Sequence, residues 1–319
     1  MSDYELYFKN KNCLVTGGAG FIGSNLSKFL VNIGANVIAL DNFSTGRKEN
    51  ILDFNDLGIK LFEVDVSEQE TTSAYFSGID YVFHQAAVPS VPRSIAEPLL
   101  TNNSNINGTL SVLENSRLNN VKKVVYAASS SAYGDTKVLP KTVSMIPSPL
   151  SPYAVQKLAG EMYCKTFFDN FGLRTTSLRY FNVYGPHQDP NSEYSAVIPI
   201  FIESALADKS ITIFGDGTTS RDFTYIEDVI QANLRAAISE DSDGCVVNIA
   251  YGNSFTLTEL ANKIIDSIGS KSAIHYAPFR KGDVRHSLAD LSTTKELIGY
   301  HPMFDLSAGL SKTIEFYRS

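Results

Sequence analysis

The chain has 319 residues, of which 43% are hydrophobic and 19% charged, so it can bury a large core in one large domain or two closely packed ones. Its net charge of −7 argues against a general nucleic-acid surface, because phosphate backbones are bound by clustered Lys and Arg. The three cysteines are far apart and lack metal-ligand spacing, which predicts a cytoplasmic protein without a metal site or a disulfide framework. No apolar run approaches the roughly 18 residues of a membrane helix, so we expect no membrane span.

Short apolar runs alternate with helix-length stretches over the first 180 residues or so. The pattern predicts strands at residues 13–16, 36–40, 61–64, 81–84, 123–127 and 175–178. Strands that alternate with helices indicate an α/β fold with a parallel, doubly wound sheet.

The alternation of strand-like and helix-like patterns becomes irregular after about residue 180, where several prolines interrupt it. Strand-like runs follow at 211–214 and 246–249, with helical patterns at 257–268 and 306–317. We therefore expect one unit from residues 1–180 plus about 225–250, and a smaller, discontinuous α/β lobe from about 181–224 plus 251–319. No linker-like segment separates them, so we expect the two to pack together.

A glycine motif follows the first predicted strand and opens a helix. Gly17, Gly20 and Gly23 at this position allow a tight turn and the close approach of a pyrophosphate to the positive end of the helix. Asp41 ends the second strand, where a carboxylate accepts from adenosine ribose hydroxyls and repels a 2′-phosphate. The pattern predicts NAD, while the nearby Arg47 leaves NADP open.

Further cofactor candidates lie where the third and fourth strands end. Ligands of such sheets bind at the carboxyl ends of the strands, and small residues there let a dinucleotide lie against the backbone. The candidates are Asp65, Val66, Gln85, Ala86 and Ala87. We interpret His84 as part of the strand end and not as a proton-transfer group.

Tyr153 and Lys157 are four residues apart, early in a predicted helix and downstream of three consecutive serines. This spacing places phenol and ammonium on one helix face. Lowering the pKa of a tyrosine from near 10 by about three units requires roughly 4 kcal/mol of interaction that favours the phenolate. One ammonium group about 4 Å away supplies about this energy at an effective dielectric constant near 20. The pair alone is also common by chance on helix surfaces, so the other motifs must support it.

Together these motifs cover nearly the whole chain: residues 16–23 (TGGAGFIG), 40–42 (LDN), 84–87 (HQAA), 129–134 (SSSAYG), 153–157 (YAVQK), 178–185 (LRYFNVYG) and 221–223 (RDF). The set resembles the extended short-chain dehydrogenase/reductases, and within them the nucleotide-sugar 4-epimerases. Residues 85–94, 188–191 and 282–290 are most similar to bacterial and archaeal UDP-N-acetylglucosamine 4-epimerases of surface-polysaccharide pathways. The resemblance implies a Rossmann NAD-binding domain, a nucleotide-sugar-binding lobe and a homodimer formed through two helices per subunit, one of which carries Tyr153.

The resemblance also implies roles for the catalytic residues. Tyr153 would take the proton of the sugar 4-hydroxyl while hydride leaves C4 for NAD, and Lys157 would lower the tyrosine pKa and hold the nicotinamide ribose. Ser129 would hydrogen-bond the reacting oxygen, although the choice between Ser129 and Ser130 as the main hydroxyl stays open. Additional cofactor contacts are implied for Phe21, Ile22, Asn42, Ser44, Gly46, Phe181 and Ser104, the last in place of a family asparagine.

Related sugar dehydratases carry an Asp-Glu pair after the hydroxyl residue, where this chain has Ser130 and Ser131. Serines cannot act as such acids or bases at neutral pH, which favours redox-neutral epimerisation. In the substrate site, Arg221 and Arg280 match diphosphate-binding arginines, and Ser287 stands where glucose-restricted epimerases carry a bulky tyrosine. Other positions aligned with the sugar are Ser90, Asn182, Gln188, Ala196 and Val197. A UDP-glucuronate 4-epimerase and a non-catalytic NAD-binding protein of the same fold remain alternatives.

Overall fold

The computed structural model describes residues 3–190, 197–279 and 284–318. Its central sheet contains seven strands: β1 (Asn12–Thr16), β2 (Asn36–Asp41), β3 (Lys60–Glu63), β4 (Tyr81–His84), β5 (Lys123–Ser129), β6 (Thr175–Tyr180) and β11 (Cys245–Ile249). Their order is β3-β2-β1-β4-β5-β6-β11, and every neighbouring pair is parallel. This is the doubly wound order of a Rossmann sheet with one added strand, which confirms the predicted fold class.

Helices cover both faces of the sheet. The helices of the first 240 residues are α1 (Asp3–Phe8), α2 (Phe21–Asn32), α3 (Gln69–Thr72), α4 (Val91–Ala96), α5 (Pro98–Asn102), α6 (Gly108–Leu118), α7 (Pro152–Phe171), α8 (Val197–Leu206) and α9 (Ile226–Ile238). A π-helical turn at Asn103–Asn107 joins α5 to α6, and a 3-10 turn at Ser130–Tyr133 follows β5.

Strand side chains alternate between two cores. Leu14 and Val82 belong to a cluster with α6 and α7, whereas Val15 and Phe83 belong to a cluster with α2 and α9. The alternation follows from the two-residue period of a strand, and burial on both faces explains why the strands appear in sequence as continuous apolar runs.

The remaining strands are short and paired, and three further helices follow them. The strands are β7 (Val183–Tyr184), β8 (Ile211–Phe214), β9 (Ser220–Asp222), β10 (Thr224–Tyr225), β12 (Ser254–Thr256) and β13 (Ile274–Ala277), and the helices are α10 (Leu257–Ile268), α11 (Ser292–Ile298) and α12 (Leu306–Arg318). Helix α8 packs with α10, α12 and β8. Strands β7 and β10, and β8 and β13, pair in parallel, whereas β9 and β12 are antiparallel.

A buried carboxylate at the end of β9 joins two later segments of the chain. Asp222 accepts backbone N–H bonds from Tyr251, Gly252 and Ala289 at 3.0–3.2 Å. Residues 285–290 pass between β9 and Lys141, through bridges of Ser220 with His286 and of Lys141 with Ala289. Arg221 and Ser287 are thereby held on adjacent segments. No helix within the described ranges is long and apolar enough to cross a bilayer.

Candidate active site

The turn between β1 and α2 depends on glycines. Gly17 has a φ of +70°, and a Cβ there would lie 2.7 Å from the Ala86 nitrogen. A Cβ on Gly23 would lie 2.1 Å from the Gly17 carbonyl oxygen, so only glycine lets α2 start this close to the strand end. Side chains at these positions would overlap backbone, as expected for a phosphate-binding turn.

One cavity at the carboxyl edge of the sheet brings together much of the predicted cofactor site. It is lined by Gly17, Leu40, Asp41, Asn42, Ser44, Thr45, Val64, Asp65, Val66, Ala86, Ala87 and Ser104. Nine of these twelve residues had been chosen from the sequence, and they come from four different strand ends and the π-helical turn. The Rossmann sheet therefore gathers them as its topology requires.

Asp41 lies at the floor of this cavity. Its carboxylate accepts the N–H groups of Ala19 at 2.9 Å and Phe43 at 2.8 Å, so it is oriented before any ligand arrives. Burial raises its pKa, and backbone hydrogen bonds lower it. A Cβ on Gly46 would lie 2.6 Å from an Asp41 oxygen, which explains the glycine in the loop that covers this carboxylate.

Arg47, on the same loop, is held by carboxylates of the protein. Its Nη1 lies 3.0 Å from Asp189 Oδ1, and its Nε lies 3.2 Å from Glu49 Oε2. Its guanidinium is already ion-paired, and the buried Asp41 disfavours a 2′-phosphate. Both features suit NAD.

Other predicted cofactor residues lie around the cavity without lining it. Gly20 caps the start of α2, where Phe21, Ile22 and Gly23 form the first turn. Phe181 is buried after β6. The Gln85 side chain instead bonds to Asn233 at 3.0 Å and Tyr180 at 3.2 Å, so it ties the sheet to α9.

The catalytic candidates meet at the end of β5 and the start of α7. Ser151 caps α7 by accepting the Ala154 N–H at 3.2 Å, and Pro152 occupies the first turn. This cap begins the helix just before Tyr153. Ser129 is the last residue of β5, and its hydroxyl lies close enough to Tyr153 to lower the pKa of the phenol.

The electrostatics differ from the sequence-based expectation in one respect. Burial raises the pKa of Tyr153, and the Ser129 hydroxyl lowers it. Lys157 Nζ donates to the Ala127 carbonyl oxygen at 2.8 Å. The sequence predicts that Lys157 lowers the pKa of Tyr153, whereas in this structure that pKa is raised, and Ser129 gives the opposing influence while the Lys157 ammonium donates to the strand.

Lys157 itself is strongly desolvated. Burial lowers its pKa to about 8, against the opposing influence of Cys164 and Glu161. Its Nζ also lies 5.1 Å from the centroid of the Tyr126 ring. A lysine in this environment changes charge close to neutral pH.

His84 does not belong to the reactive group. Its ring nitrogens bond to Thr16 at 2.7 Å and Thr109 at 3.0 Å, and burial, with a smaller contribution from Lys157, lowers its pKa to about 3. It is a neutral histidine that joins β1, β4 and α6, as the sequence interpretation expected.

The predicted substrate residues form one cluster and several separate positions. Asn182 Nδ2 donates to Ser287 Oγ at 3.3 Å and to the Asp222 carbonyl at 3.1 Å. Arg221 Nη1 donates to the carbonyls of Ser220 and Arg285 at 3.0 and 3.1 Å. Asn182, Arg221 and Ser287 therefore lie in one region.

The remaining predicted positions have local roles or lie elsewhere. Ser90 caps α4 through the Arg93 N–H at 3.1 Å, Gln188 bonds to the Val183 carbonyl at 3.1 Å, and Val197 begins α8. Ser130 opens the 3-10 turn after Ser129. Ala196 and Arg280 lie outside the described residues.

Sequence reasoning missed a buried ion pair next to the catalytic helix face. Glu161 and Arg179 form two hydrogen bonds at 2.9 and 2.7 Å, and each side chain is 4% exposed. The series Tyr153, Lys157 and Glu161, at intervals of four, was visible in the sequence and is the signal that could have revealed the carboxylate. Within the described ranges no group of three His, Cys, Asp or Glu residues could hold a metal ion.

Three features define an NAD-binding Rossmann protein of the short-chain dehydrogenase/reductase class. They are the glycine-rich turn between β1 and α2, the buried acid at the end of β2, and the group of Ser129, Tyr153 and Lys157 at the end of β5 and the start of α7. Residues 13–250 match the family described as NAD dependent epimerase/dehydratase, and the chain belongs to that family. Its cofactor is NAD.

Solved and curated relatives span nearly the whole chain. The crystal structure of Thermotoga maritima UDP-glucose 4-epimerase with UDP-glucose is 40% identical, has a TM-score of 0.92 and covers 96% of this chain and 98% of that one. The UDP-N-acetylglucosamine 4-epimerase of Methanobrevibacter ruminantium M1, in complex with UDP-N-acetylmuramic acid, is also 40% identical, with a TM-score of 0.92 and coverage of 97% and 99%. A UDP-glucose 4-epimerase of Mycolicibacterium smegmatis is 36% identical over 310 residues, 96% of this chain and 98% of the relative. These findings confirm the resemblance stated from the motifs.

Proposed function

We propose that the chain catalyses the NAD-dependent interconversion of UDP-N-acetylglucosamine and UDP-N-acetylgalactosamine at C4, and that UDP-glucose and UDP-galactose are also substrates. UDP-sugar 4-epimerisation, an isomerase reaction, is supported by the relatives. The observation that carries the chemistry is the placement of Ser129 at the end of β5 beside Tyr153 in the first turn of α7, with Lys157 one helical turn further along.

Tyr153, Ser129 and Lys157 have separate roles in the proposed proton transfer. NAD, when bound, supplies a reversible hydride acceptor. The Tyr153 oxygen takes the proton of the C4 hydroxyl as C4 loses hydride, and it returns the proton after the 4-keto sugar has presented its other face. Ser129 hydrogen-bonds the reacting oxygen, and Lys157 contributes a positive charge that favours the phenolate.

The residues after Ser129 support epimerisation over elimination. Ser131 Oγ donates to Ser129 Oγ at 2.8 Å, so it orients the catalytic hydroxyl. Ser130 and Ser131 provide no carboxyl group for removing water from the sugar. The sugar is therefore expected to leave with its composition unchanged.

Ser287 supports acceptance of an N-acetylated sugar. Its buried hydroxyl accepts from Asn182, a predicted sugar contact, and a serine leaves space that a tyrosine would fill. Arg221, together with Arg280 outside the described residues, would hold the diphosphate, for which bidentate guanidinium groups are suited. Ser90, Gln188, Ala196 and Val197 stay predictions.

The remaining assignments extend this proposal. Residues 1–180 with about 225–250 would form the NAD-binding domain, and about 181–224 with 251–319 the nucleotide-sugar lobe. The protein would act in the cytoplasm as a homodimer, in a pathway that makes surface polysaccharides. Supporting the dimer, α4, α5 and α7 expose large apolar side chains, among them Ile95, Leu99 and Met162.

The proposal is tested by incubating the purified protein separately with UDP-N-acetylglucosamine, UDP-glucose and UDP-glucuronate and resolving the C4 epimers. We expect conversion of UDP-N-acetylglucosamine and of UDP-glucose. Conversion of UDP-glucuronate alone would favour the UDP-glucuronate 4-epimerase alternative. Bound NAD without conversion of any of the three would favour the non-catalytic alternative.

A further inference from the structure

The buried ion pair of Glu161 and Arg179 lies one helical turn beyond the catalytic lysine. Tyr153, Lys157 and Glu161 succeed one another at intervals of four on α7, so they share one face of the helix. Arg179 Nε donates to Glu161 Oε1 at 2.9 Å and Nη2 donates to Oε2 at 2.7 Å, a bidentate geometry.

The same arginine reaches the serine-bearing strand end. Arg179 lies on β6 in register with Ala128, the residue before Ser129. Its guanidinium carbon lies 4.6 Å from the ring centroid of Tyr133, whose hydroxyl donates to Asn248 at 2.6 Å. The pair thus connects the helix that carries Lys157 to the turn that follows Ser129.

The charged and titratable groups around Lys157 come from several elements. Tyr153, Glu161 and Cys164 face it from α7, Tyr126 from β5 and His84 from β4, with Arg179 and Tyr133 beyond Glu161.

Most of these groups carry no charge at neutral pH. The pKa of His84 is lowered to about 3, that of Cys164 is raised to about 12, and those of Tyr126, Tyr133 and Tyr153 are raised. Among the described neighbours this leaves Glu161 as the carboxylate and Arg179 as the cation beside it.

We propose that Glu161 and Arg179 act as positioning residues that set the charge on Lys157 at the working pH and hold the turn after Ser129. The proposal rests on the role given to Lys157 in the proposed function. It explains why an ion pair is kept in the interior, where well-packed apolar residues would serve stability equally well.

Both substitutions remove negative charge from the neighbourhood of Lys157. Glu161→Gln removes the carboxylate whose influence opposes the desolvation of Lys157, so the pKa of Lys157 falls below its value of about 8. Arg179→Met removes the hydrogen bonds and the cation that lower the pKa of Glu161, which burial already raises, so Glu161 takes up a proton. The pKa of Lys157 therefore falls in this variant as well.

The direct test is an NMR titration of protein labelled with 13C in its lysine side chains, with the Lys157 signal assigned by its loss in Lys157→Met. We expect the Lys157 titration midpoint to move down by about one pH unit in Glu161→Gln and to move in the same direction in Arg179→Met. The alkaline limb of the kcat profile, measured on the UDP-sugar that the wild type converts, should move in the same direction.

Asp169→Asn is the matched control, because Lys165 and Asp169 form an exposed i,i+4 pair on the same helix. We expect it to leave the Lys157 titration unchanged. Loss of stability in both pair variants with an unmoved titration, or an upward movement of the midpoint in either variant, would overturn the proposal. The titration does not require turnover, so it also distinguishes failure of this inference from failure of the proposed function.

Discussion

In the proposed function, Tyr153 is the residue on which the chemistry depends. Burial raises the pKa of its phenol, which disfavours the phenolate in the protein alone, and the Ser129 hydroxyl has the opposite influence. We expect a positively charged nicotinamide ring, together with Lys157, to favour the phenolate when NAD is bound.

Replacing Tyr153 by Phe removes the proton acceptor and little volume. We expect kcat to fall by about 100-fold or more, the usual contribution of a positioned acid or base. Bound NAD and the thermal midpoint report whether the fold survives. Turnover close to that of the wild type would assign the base to another residue.

Ser287 is expected to decide which sugars are accepted. Ser287→Tyr would overpack the space beside Asn182, at a typical cost of about 1–3 kcal/mol. At 1.4 kcal/mol per factor of ten, this is at least a roughly ten-fold loss on UDP-N-acetylglucosamine.

UDP-glucose serves as the internal control for Ser287→Tyr, because it carries only a hydroxyl at C2. Its turnover should largely persist, whereas general damage to the fold would lower both activities together. Equal losses on both sugars, or no loss on either, would show that Ser287 does not line the C2 pocket.

At the scale of single residues, the sequence predicted which side chains belong to the candidate site better than it predicted the contacts of those side chains. The spacing of Tyr153 and Lys157 predicted a shared helix face, which α7 provides. That Lys157 donates to Ala127, and that Arg179 pairs with Glu161, depends on how α7 packs against β5 and β6. Contacts between elements far apart in the chain leave no local pattern in one sequence.

Among the elements, the turn from β1 to α2 depends most strongly on particular residues. Gly23→Ala would place a Cβ 2.1 Å from the Gly17 carbonyl oxygen, and this backbone contact cannot be relieved by a rotamer. Gly20→Ala would place a Cβ 3.1 Å from the same oxygen, which a small shift relieves.

We therefore expect Gly23→Ala to lower both the thermal midpoint and the NAD content of the purified protein. Gly20→Ala should lower the NAD content with a smaller effect on the midpoint, because its added methyl group faces the predicted pyrophosphate site. Spectroscopic NAD quantification after denaturation, alongside thermal unfolding, measures both. Equal midpoints in the two variants would contradict the packing argument.

The strands were predictable because buried parallel strands appear as short apolar runs. Residues 81–84 and 211–214 match β4 and β8, whereas the run at 123–127 extends as β5 to Ser129 because Ala128 and Ser129 pair with β6. The helix α1 and the two-residue strands β7 and β10 were not predicted. The pairing of β7 with β10 depends on two segments far apart in the chain and not on local periodicity.

At the scale of the whole molecule, the proposed dimer has a candidate surface. Leu99 is 87% exposed on α5 and Met162 is 60% exposed on α7, the helix that carries Tyr153. Exposed large apolar side chains on neighbouring helices are typical of a subunit interface. Two such surfaces related by a two-fold axis would bury each other.

We expect the wild type to sediment at twice the 35.0 kDa of the chain. A Leu99→Glu and Met162→Glu double variant should sediment as a monomer, because buried unpaired carboxylates would oppose association. Leu52→Glu, at a side chain 79% exposed outside these helices, is the matched control and should remain a dimer. A monomeric wild type, or a double variant that stays dimeric, would reject this surface.

The central claim is that hydride leaves C4 and returns to the same carbon while the cofactor remains bound. It is tested most directly with UDP-N-acetylglucosamine deuterated at C4, followed by NMR and mass spectrometry to equilibrium. We predict an equilibrium mixture of the two C4 epimers that retains deuterium at C4, with no net NADH and no loss of water. Washout of the label into solvent, accumulation of NADH in proportion to substrate, or formation of a dehydrated sugar would contradict the account.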